Sequence, residues 1–367
     1  LEREYWRLLS IPMHEQRLEV QYGSDVDTGA NGSGFPHNHS PDAAKSLEEL
    51  LQRYAQDDWN LNNMPKLPGS VLQHLDEDIK GVMVPWLYAG MCFSTFCWHV
   101  EDHNFYSTSY LHSGAPKTWY GIPCASAELM ERTMKELTPE LFGSQPDLHM
   151  QLVTMFSPKT LREHGVPVYR ATHRPNEFIV TFPSAYHAGF NNGFNCAEAV
   201  NFATVDWLPW GAKSLRKYRE FHKLPVFCHE ALVCTLAETL VDGSDFDFEH
   251  TESFLLPAVE QLLQDYREFQ RRVDDSNSEM HVAKREDEGL RCVTCKQYCY
   301  LQAVVCTRCR PPHGSNGGPT VGCLEHYPTM CKCGDPENFV YLYRHEAARL
   351  EEMLTNIRNR LNGVRAW

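Results

Sequence analysis

One short stretch of the chain contains side chains with the chemistry of metal ligands. In Cys97-Trp98-His99-Val100-Glu101-Asp102-His103, a histidine lies two residues before a carboxylate. Side chains alternate along a β-strand, so His99 and Glu101 would lie on one face and could bind one ion. A second histidine from a later strand would complete a site of two histidines and one carboxylate. This is the geometry of non-haem Fe(II) oxygenases, and it leaves three coordination positions open.

The second histidine is predicted to be His187, in the segment Phe182-Pro183-Ser184-Ala185-Tyr186-His187-Ala188-Gly189-Phe190-Asn191. Small residues around it would let a cofactor approach closely. Spacing does not choose between His99 and His103, because both lie on the same alternating face. The chain has 18 histidines, so a chance pair of buried histidines bonded to backbone carbonyls is the alternative interpretation.

A second group of ligand-type residues lies near the C-terminus, where eight of the 14 cysteines fall between Cys292 and Cys333. Cysteine pairs in this spacing, without a segment that resembles a secretion signal, indicate metal binding in a reducing compartment rather than disulfides. Free buried thiols are the alternative, and Cys299 is the predicted leftover. Eight ligands suffice for two tetrahedral Zn²⁺ sites with a structural role: Cys292, Cys295, Cys306, Cys309, Cys323, His326, Cys331 and Cys333.

The elements that would position these residues change in type along the chain. From Trp59 to about Phe227, short apolar runs separated by Gly, Pro, Asn and Ser favour a barrel or jelly roll. The predicted strands are 18–22, 82–88, 118–120, 178–182 and 199–202. The predicted helices are 2–9, 43–54, 125–137, 213–222, 257–273 and 346–361, and the polar stretch 274–289 is predicted to be a linker.

Length and charge limit the classes of function. The chain has 367 residues, of which 42% are hydrophobic, and it begins with Leu1, so we expect a fragment of a longer globular protein. No apolar run approaches the ~18 residues of a membrane span. A formal net charge of −14 argues against direct binding of nucleic acid and suits a cationic partner.

Several motifs together make the chain closely resemble the Jumonji-C oxygenases. The resemblance rests on Gly90–His103, Tyr110-Leu111-His112 and Pro116-Lys117-Thr118-Trp119-Tyr120-Gly121, and it extends to Gly32–Pro36, Trp59–Pro65 and the His187 segment. Within that family, the chain looks most similar to the histone H3 lysine-4 demethylase branch and to the founding Jumonji protein of Polycomb repressive complex 2.

The resemblance implies a mainly β protein with helices. A Jumonji-C double-stranded β-helix (jelly roll, cupin) would span residues 1–225, a helical linker domain 226–285, a Cys-rich two-zinc finger 286–340 and a C-terminal helix 341–367. In the finger, the implied zinc sites interleave: Cys292, Cys295, Cys323 and His326 hold one ion, and Cys306, Cys309, Cys331 and Cys333 hold the other.

The resemblance also implies roles in the barrel. Fe(II) would be held by the catalytic residues His99, Glu101 and His187. Lys117 would pair with the distal carboxylate of 2-oxoglutarate, assisted by Tyr22. The same pocket would include Phe96, Ser107, Ser109 and Trp119, and Tyr88 and Asn191 would lie at the substrate. The family's usual Asn is here Ser109, and two aromatics common in the family are replaced by Asn104 and Ser113.

The implied function is a nuclear, Fe(II)- and 2-oxoglutarate-dependent histone lysine demethylase, which removes methyl groups as formaldehyde from lysine 4 of histone H3. Its expected partners are the methylated H3 tail and chromatin complexes. Two alternatives stay open. One is a subunit of Polycomb repressive complex 2 with a weakly active or inactive barrel, suggested by Ser109. The other is a protein hydroxylase that stops at a stable alcohol.

Overall fold

The computed structural model describes residues 1–15, 18–37, 45–151, 154–242, 248–275, 280–285, 289–309, 319–333 and 336–365. The chain divides into two compact units, Leu1–Trp207 and Leu208–Trp367. The division into four domains predicted from the sequence stays a prediction. No described helix is both long and apolar enough to cross a membrane.

The first unit is built on nine strands with six short helices around them. The strands are β1 Tyr22–Asp27, β2 Trp86–Gly90, β3 Thr95–His99, β4 Tyr106–Gly114, β5 Lys117–Ile122, β6 Tyr169–His173, β7 Phe178–Thr181, β8 Tyr186–Asn191 and β9 Asn195–Phe202. The helices are α1 Glu2–Leu9, α2 Thr28–Asn31, α3 Lys45–Ala55, α4 Ala127–Leu137, α5 Pro139–Ser144 and α6 Pro158–Glu163. The predicted sheet-rich architecture is confirmed.

These strands form two antiparallel sheets. One has the order β1-β2-β9-β4-β7 and the other β3-β8-β5-β6. The chain passes between the sheets several times, since β3, β5, β6 and β8 belong to one sheet and the intervening strands β4 and β7, like β2 before and β9 after them, belong to the other. Residues distant in sequence therefore meet on the inner faces, as the predicted site requires.

Alternation along the strands separates the site from the core. On β5 and β8, Tyr120 and Tyr186 are only 1% exposed and belong to a hydrophobic cluster with Met130 and Met134 of α4. Side chains one residue away on the same strands, such as Trp119 and His187, point to the opposite face. Because the apolar side chains of the outer face are buried in this cluster, the side chains between them must point to the inner face.

A long excursion separates two paired strands of the second sheet. Strands β5 and β6 are hydrogen-bonded neighbours, with Gly121 opposite Tyr169. The chain between them carries α4, α5 and α6. Ala127, Met130, Met134 and Leu161 from this excursion are at most 2% exposed. The excursion therefore supplies the outer core without supplying a strand.

The predicted strand at 18–22 is wrong except for its last residue. Strand β1 begins at Tyr22, which pairs with Gly90, the last residue of β2. Residues 18–21 form no strand, and Leu18 and Val20 are 52% and 40% exposed. The apolar–polar alternation favoured a strand here, but this segment does not pair with a neighbouring strand.

The second unit combines helices with a small four-stranded sheet. Its helices are α7 Leu208–Glu220, α8 His229–Asp242, α9 Phe248–His250, α10 Leu256–Asp275 and α11 Ala347–Arg365. Its strands are β10 His281–Lys284, β11 Gln302–Cys306, β12 Thr320–Gly322 and β13 Phe339–Tyr343, in the order β10-β13-β11-β12. Val259, Leu262, Leu263, Tyr266, Phe269 and Val273 form the buried face of α10, at the spacing of an amphipathic helix.

The predicted linker at 274–289 is partly wrong. Residues 281–284 form β10, which pairs in parallel with β13 although all four side chains are exposed. An edge strand needs only backbone hydrogen bonds to its neighbour, so its four exposed side chains gave no sign of it. Residues 276–279 and 286–288 lie outside the described part of the chain.

Candidate metal and co-substrate site

The two predicted histidine ligands lie opposite each other on adjacent strands. Strand β3 pairs antiparallel with β8, and His99 faces His187 in register. Their ring centroids are 4.1 Å apart. Each ring Nδ1 bonds a backbone carbonyl, at 2.7 Å from Cys97 and 3.0 Å from Ala185. With Nδ1 as donor, each Nε2 presents a lone pair toward the same point, as metal-binding histidines do.

The carboxylate completes the group, although it does not lie on the predicted strand. Strand β3 ends at His99, and Glu101 follows in an extended backbone conformation, with φ −64° and ψ 152°. The alternation of side chains therefore continues past the last paired residue of β3. Glu101 Oε1 lies 3.2 Å from His187 Nε2 and 4.0 Å from His99 Nε2. The ligand atoms of all three residues lie within 4.8 Å of one another, which suits one small divalent cation.

The alternative ligand His103 is directed elsewhere. Its backbone takes a left-handed conformation, φ 51°, inside the short 3-10 helix Asp102–Asn104. This turn ends the alternation that made His103 equivalent to His99. The side chain of His103 is fully buried, and its ring stacks against Phe105 with centroids 5.6 Å apart.

Electrostatics favours the protonation states that a cation needs. Burial lowers the pKa of His99 to about 4, and repulsion by His187 adds to this effect. Burial alone would raise the pKa of Glu101, but hydrogen bonding with His187 and the nearby imidazoles lower it to about 2. At neutral pH, His99 is therefore neutral and Glu101 is ionised, the forms in which these groups bind metals.

A residue that the sequence reasoning missed holds the carboxylate in place. On β9, Asn201 Nδ2 donates to Glu101 Oε2 at 2.9 Å and to the Tyr106 carbonyl at 3.1 Å. Asn201 is 6% exposed. Its bond occupies one carboxylate oxygen and leaves Oε1 directed at the histidines. A polar residue within the apolar run Ala199-Val200-Asn201-Phe202 was the available signal.

The predicted anchor for 2-oxoglutarate is a buried cation without a carboxylate partner. Lys117 is 2% exposed. Its Nζ donates to Asn191 Oδ1 at 2.7 Å and lies 5.7 Å from the centre of the Tyr22 ring. No described Asp or Glu pairs with it. Burial lowers the pKa of Lys117 to about 8. Burying an unpaired ammonium is costly, so this end of the pocket fits the carboxylate of a ligand.

Asn191, which was predicted to contact the substrate, lies beside Lys117. It is fully buried, its Nδ2 donates to Ser94 Oγ at 2.8 Å, and Asn195 donates to its Oδ1 at 2.9 Å. Its side chain also acts on the Tyr22 hydroxyl. Asn191 follows His187 by four residues on β8, and its role at the substrate stays a prediction.

Two aromatic rings lie next to one of the metal ligands. The Trp119 ring stacks on His187 at 5.8 Å and contacts Phe96 at 4.7 Å between centroids. Gly189 lets the Phe96 ring lie against the backbone of β8, because a Cβ there would be 2.4 Å from Phe96 Cζ. Ser107 and Ser109 are both buried on β4, and the Ser107 hydroxyl bonds that of Thr181.

Two tyrosines form the side of the site near Glu101. The rings of Tyr22 and Tyr88 lie 6.2 Å apart. Burial raises the pKa of both hydroxyls, so both stay protonated at neutral pH. The negative charge of Glu101 acts on Tyr88 as well. The role of Tyr88 at the substrate stays a prediction.

In the second unit, the structure brings together the two sets of zinc ligands implied by the resemblance. One cluster consists of Cys292, Cys295, Cys323 and His326, and the other of Cys306, Cys309, Cys331 and Cys333. Zn–S bonds of about 2.3 Å in a tetrahedron separate sulfur atoms by about 3.8 Å. The sulfur atoms of Cys295 and Cys323 lie 3.8 Å apart, and those of Cys306 and Cys333 lie 3.5 Å apart. Both clusters fit tetrahedral Zn²⁺.

Comparison with known proteins agrees with this geometry. Residues 86–202 match the JmjC domain, hydroxylase; residues 206–242 match the C-terminal helical domain of lysine-specific demethylase 5; and residues 292–353 match the C5HC2 zinc finger. Residues 86–202 therefore form a JmjC domain. A JmjC domain implies the cupin-like barrel predicted above and dependence on Fe(II) and 2-oxoglutarate, and the C5HC2 finger implies zinc.

The whole chain also aligns with curated demethylases. It is 44% identical to lysine-specific demethylase 5D of Homo sapiens and of Pan troglodytes. Over 97% of its length, it is 41% identical to lysine-specific demethylase JMJ17 of Arabidopsis thaliana. These matches place the JmjC domain in the lysine-specific demethylase 5 branch. The chain spans 23% of the 5D proteins and 29% of JMJ17.

Proposed function

We propose that this chain is the oxygenase part of an Fe(II)- and 2-oxoglutarate-dependent histone lysine demethylase. Its substrate would be methylated lysine 4 of histone H3 and its place of action the nucleus. The observation that supports this most strongly is the convergence of His99, Glu101 and His187 within 4.8 Å in the same barrel as an unpaired, buried Lys117. The names of the relatives support the choice of substrate class.

Each part of the site would have a distinct role. His99, Glu101 and His187 would hold iron, and Asn201 would keep the Glu101 carboxylate oriented. Fe(II) with 2-oxoglutarate supplies the oxygen-activating chemistry that hydroxylates an N-methyl group, after which the amine is released with formaldehyde. The residues of the chain bind and orient the reactants and exclude water, and no protein base has to remove a proton from nitrogen. A trimethylated lysine is therefore an acceptable substrate.

The two ends of the site would bind groups of opposite charge. The Lys117 ammonium would pair with the distal carboxylate of 2-oxoglutarate, with Asn191 and the Tyr22 hydroxyl beside it. On the other side, Tyr88 would face the methylated ammonium group, since an aromatic ring and its oxygen stabilise a cation. A net charge of −14 favours approach of a basic histone tail, and this attraction should weaken as salt is added.

The two Cys-rich clusters would bind two structural Zn²⁺ ions. Four protein ligands surround each position, so neither ion keeps an open coordination site for catalysis. With four thiolates in one cluster and three thiolates and one imidazole in the other, the donors favour zinc over magnesium or calcium.

Mass spectrometry of a trimethyl-lysine-4 H3 peptide tests the proposal. Incubation with Fe(II), 2-oxoglutarate and air should produce successive losses of methyl groups, and His187→Ala should abolish them. Absence of demethylation by the wild-type chain, with 2-oxoglutarate bound, would support the alternative of a scaffold protein in a chromatin complex. Addition of one oxygen without loss of methyl would instead identify a protein hydroxylase.

A further inference from the structure

An irregularity in β1 places one carboxylate beside the two tyrosines. In the ladder with β2, Gly23 pairs with Ala89 and Val26 pairs with Leu87. Two residues of β1, Ser24 and Asp25, thus stand opposite the single residue Tyr88. This is a β-bulge, a feature that redirects a side chain. Asp25 takes a left-handed backbone conformation there, with φ 58°.

The bulge brings the Asp25 carboxylate to the Tyr88 side chain. The charge of the Asp25 carboxylate acts on Tyr88, opposite which the bulge places it, and on Tyr22. Asp25 is exposed. No described Lys or Arg forms a salt bridge with it. Two residues further along β1, Asp27 is paired with Lys80 at 2.7 Å, whereas Asp25 has no such partner among the described residues.

The surroundings of Asp25 suit a cationic ligand. Its carboxylate, the Tyr88 hydroxyl and the Tyr22 ring border one side of the site, and Glu101 acts on the same tyrosine. Once a divalent ion occupies the ligand cluster, the charge of Glu101 is neutralised by that ion. Asp25 then remains as the anionic group beside Tyr88.

We propose that Asp25 is a substrate-binding residue, whose carboxylate, opposite Tyr88 in the ladder, attracts the methylated ammonium group into the site. This inference rests on the proposed function. A trimethylated ammonium gains only Coulomb attraction, whereas mono- and dimethylated forms also donate N–H to the carboxylate. Asp25 therefore contributes most to the affinity for the lower methylation states.

The substitution Asp25→Asn separates charge from conformation. Asparagine has the same shape and tolerates the left-handed conformation, so the bulge is retained and only the charge is lost. Glu19→Gln is the matched control, because it removes one negative charge just before β1 from a residue without a described salt bridge. Asp25→Glu keeps the negative charge on a side chain that is longer by one methylene group.

The experiment is a binding titration with Mn²⁺ in place of iron and with 2-oxoglutarate, under argon. Two H3 peptides are compared: one with trimethyl-lysine at position 4, and one with a neutral isostere in which carbon replaces the nitrogen. Asp25→Asn should weaken binding of the cationic peptide about fivefold at low salt, as expected for an exposed charge pair. Binding of the neutral peptide and of 2-oxoglutarate should not change. Dimethyl-lysine should lose more than trimethyl-lysine.

The outcomes separate this inference from the proposed function. If Asp25→Asn binds the cationic peptide like wild type and like Glu19→Gln, Asp25 has no role in substrate binding and the inference is wrong. Equal losses for the cationic and neutral peptides would indicate a merely structural role and would also overturn it. If the wild-type chain binds neither peptide, the proposed function itself fails.

Discussion

Replacing Asn201 should weaken metal binding without disturbing the barrel. Asn201→Leu keeps the approximate volume of the side chain but removes the N–H that bonds Glu101 Oε2 at 2.9 Å. A hydrogen bond to a charged group contributes about 1.5–3 kcal/mol. Loss of this bond also frees the carboxylate to rotate away from the histidines.

The size of the effect follows from these numbers. Since about 1.4 kcal/mol corresponds to a tenfold change in affinity, the lost hydrogen bond predicts metal binding weaker by about 10- to 100-fold. This agrees with the usual cost of removing a group that orients a metal ligand. The loss of stability is smaller for the metal-free protein, because a water molecule can reach the 20%-exposed Glu101.

Manganese is a suitable probe, because it prefers oxygen and imidazole ligands and leaves the thiolate clusters to zinc. Electron paramagnetic resonance of free Mn²⁺ during titration gives the dissociation constant for the barrel site. Glu101→Gln serves as the control that removes a ligand outright. A dissociation constant for Asn201→Leu within twofold of wild type, with Glu101→Gln impaired, would refute the positioning role of Asn201.

Three further predictions concern the co-substrate and the zinc clusters. Only the protonated form of Lys117 pairs with a carboxylate, and its pKa is lowered to about 8. The KM for 2-oxoglutarate should therefore increase as pH rises through about 8, by up to about tenfold per unit above it; a KM constant over that range would contradict the assignment. Ser109→Asn should restore the amide usual in the family and lower the KM for 2-oxoglutarate about fivefold, the value of one hydrogen bond; an increase would mean that the pocket lacks room for it. Strong chelation should release two zinc ions per chain and lower the thermal stability of the unit 208–367, as measured by a metallochromic dye and circular dichroism; unchanged melting would exclude a structural role.

Local spacing predicted the parts of the site that depend on local geometry. The His-x-Glu pair needs only an extended backbone, and the structure supplies it even though β3 ends before Glu101. The zinc clusters likewise come from cysteines two or three residues apart. In both cases, a short stretch of chain decides which neighbouring ligands form a pair. The combination of these pairs into full sets came from the resemblance, and the structure brings those sets together.

Other parts depend on partners that a single sequence does not reveal. Asn201 acts on a carboxylate 100 residues earlier in the chain, and Asp25 reaches Tyr88 only because of a bulge in strand pairing. The left-handed turn at His103 was equally hidden, although it decides which histidine joins the site. Edge strand β10 carries no apolar pattern, because its partner is contacted through the backbone alone.

The excursion between β5 and β6 leaves the barrel and returns to it at neighbouring positions of one ladder. Insertions there should leave the distance between Lys117 and His187 unchanged. These residues lie on β5 and β8, which pair with each other outside the excursion. Evolution and protein engineering thus have a place to add length, such as a fused reporter or a docking segment, at the exposed residues 143–146. A single residue added within β8 would instead exchange His187 with Tyr186 and end the chemistry.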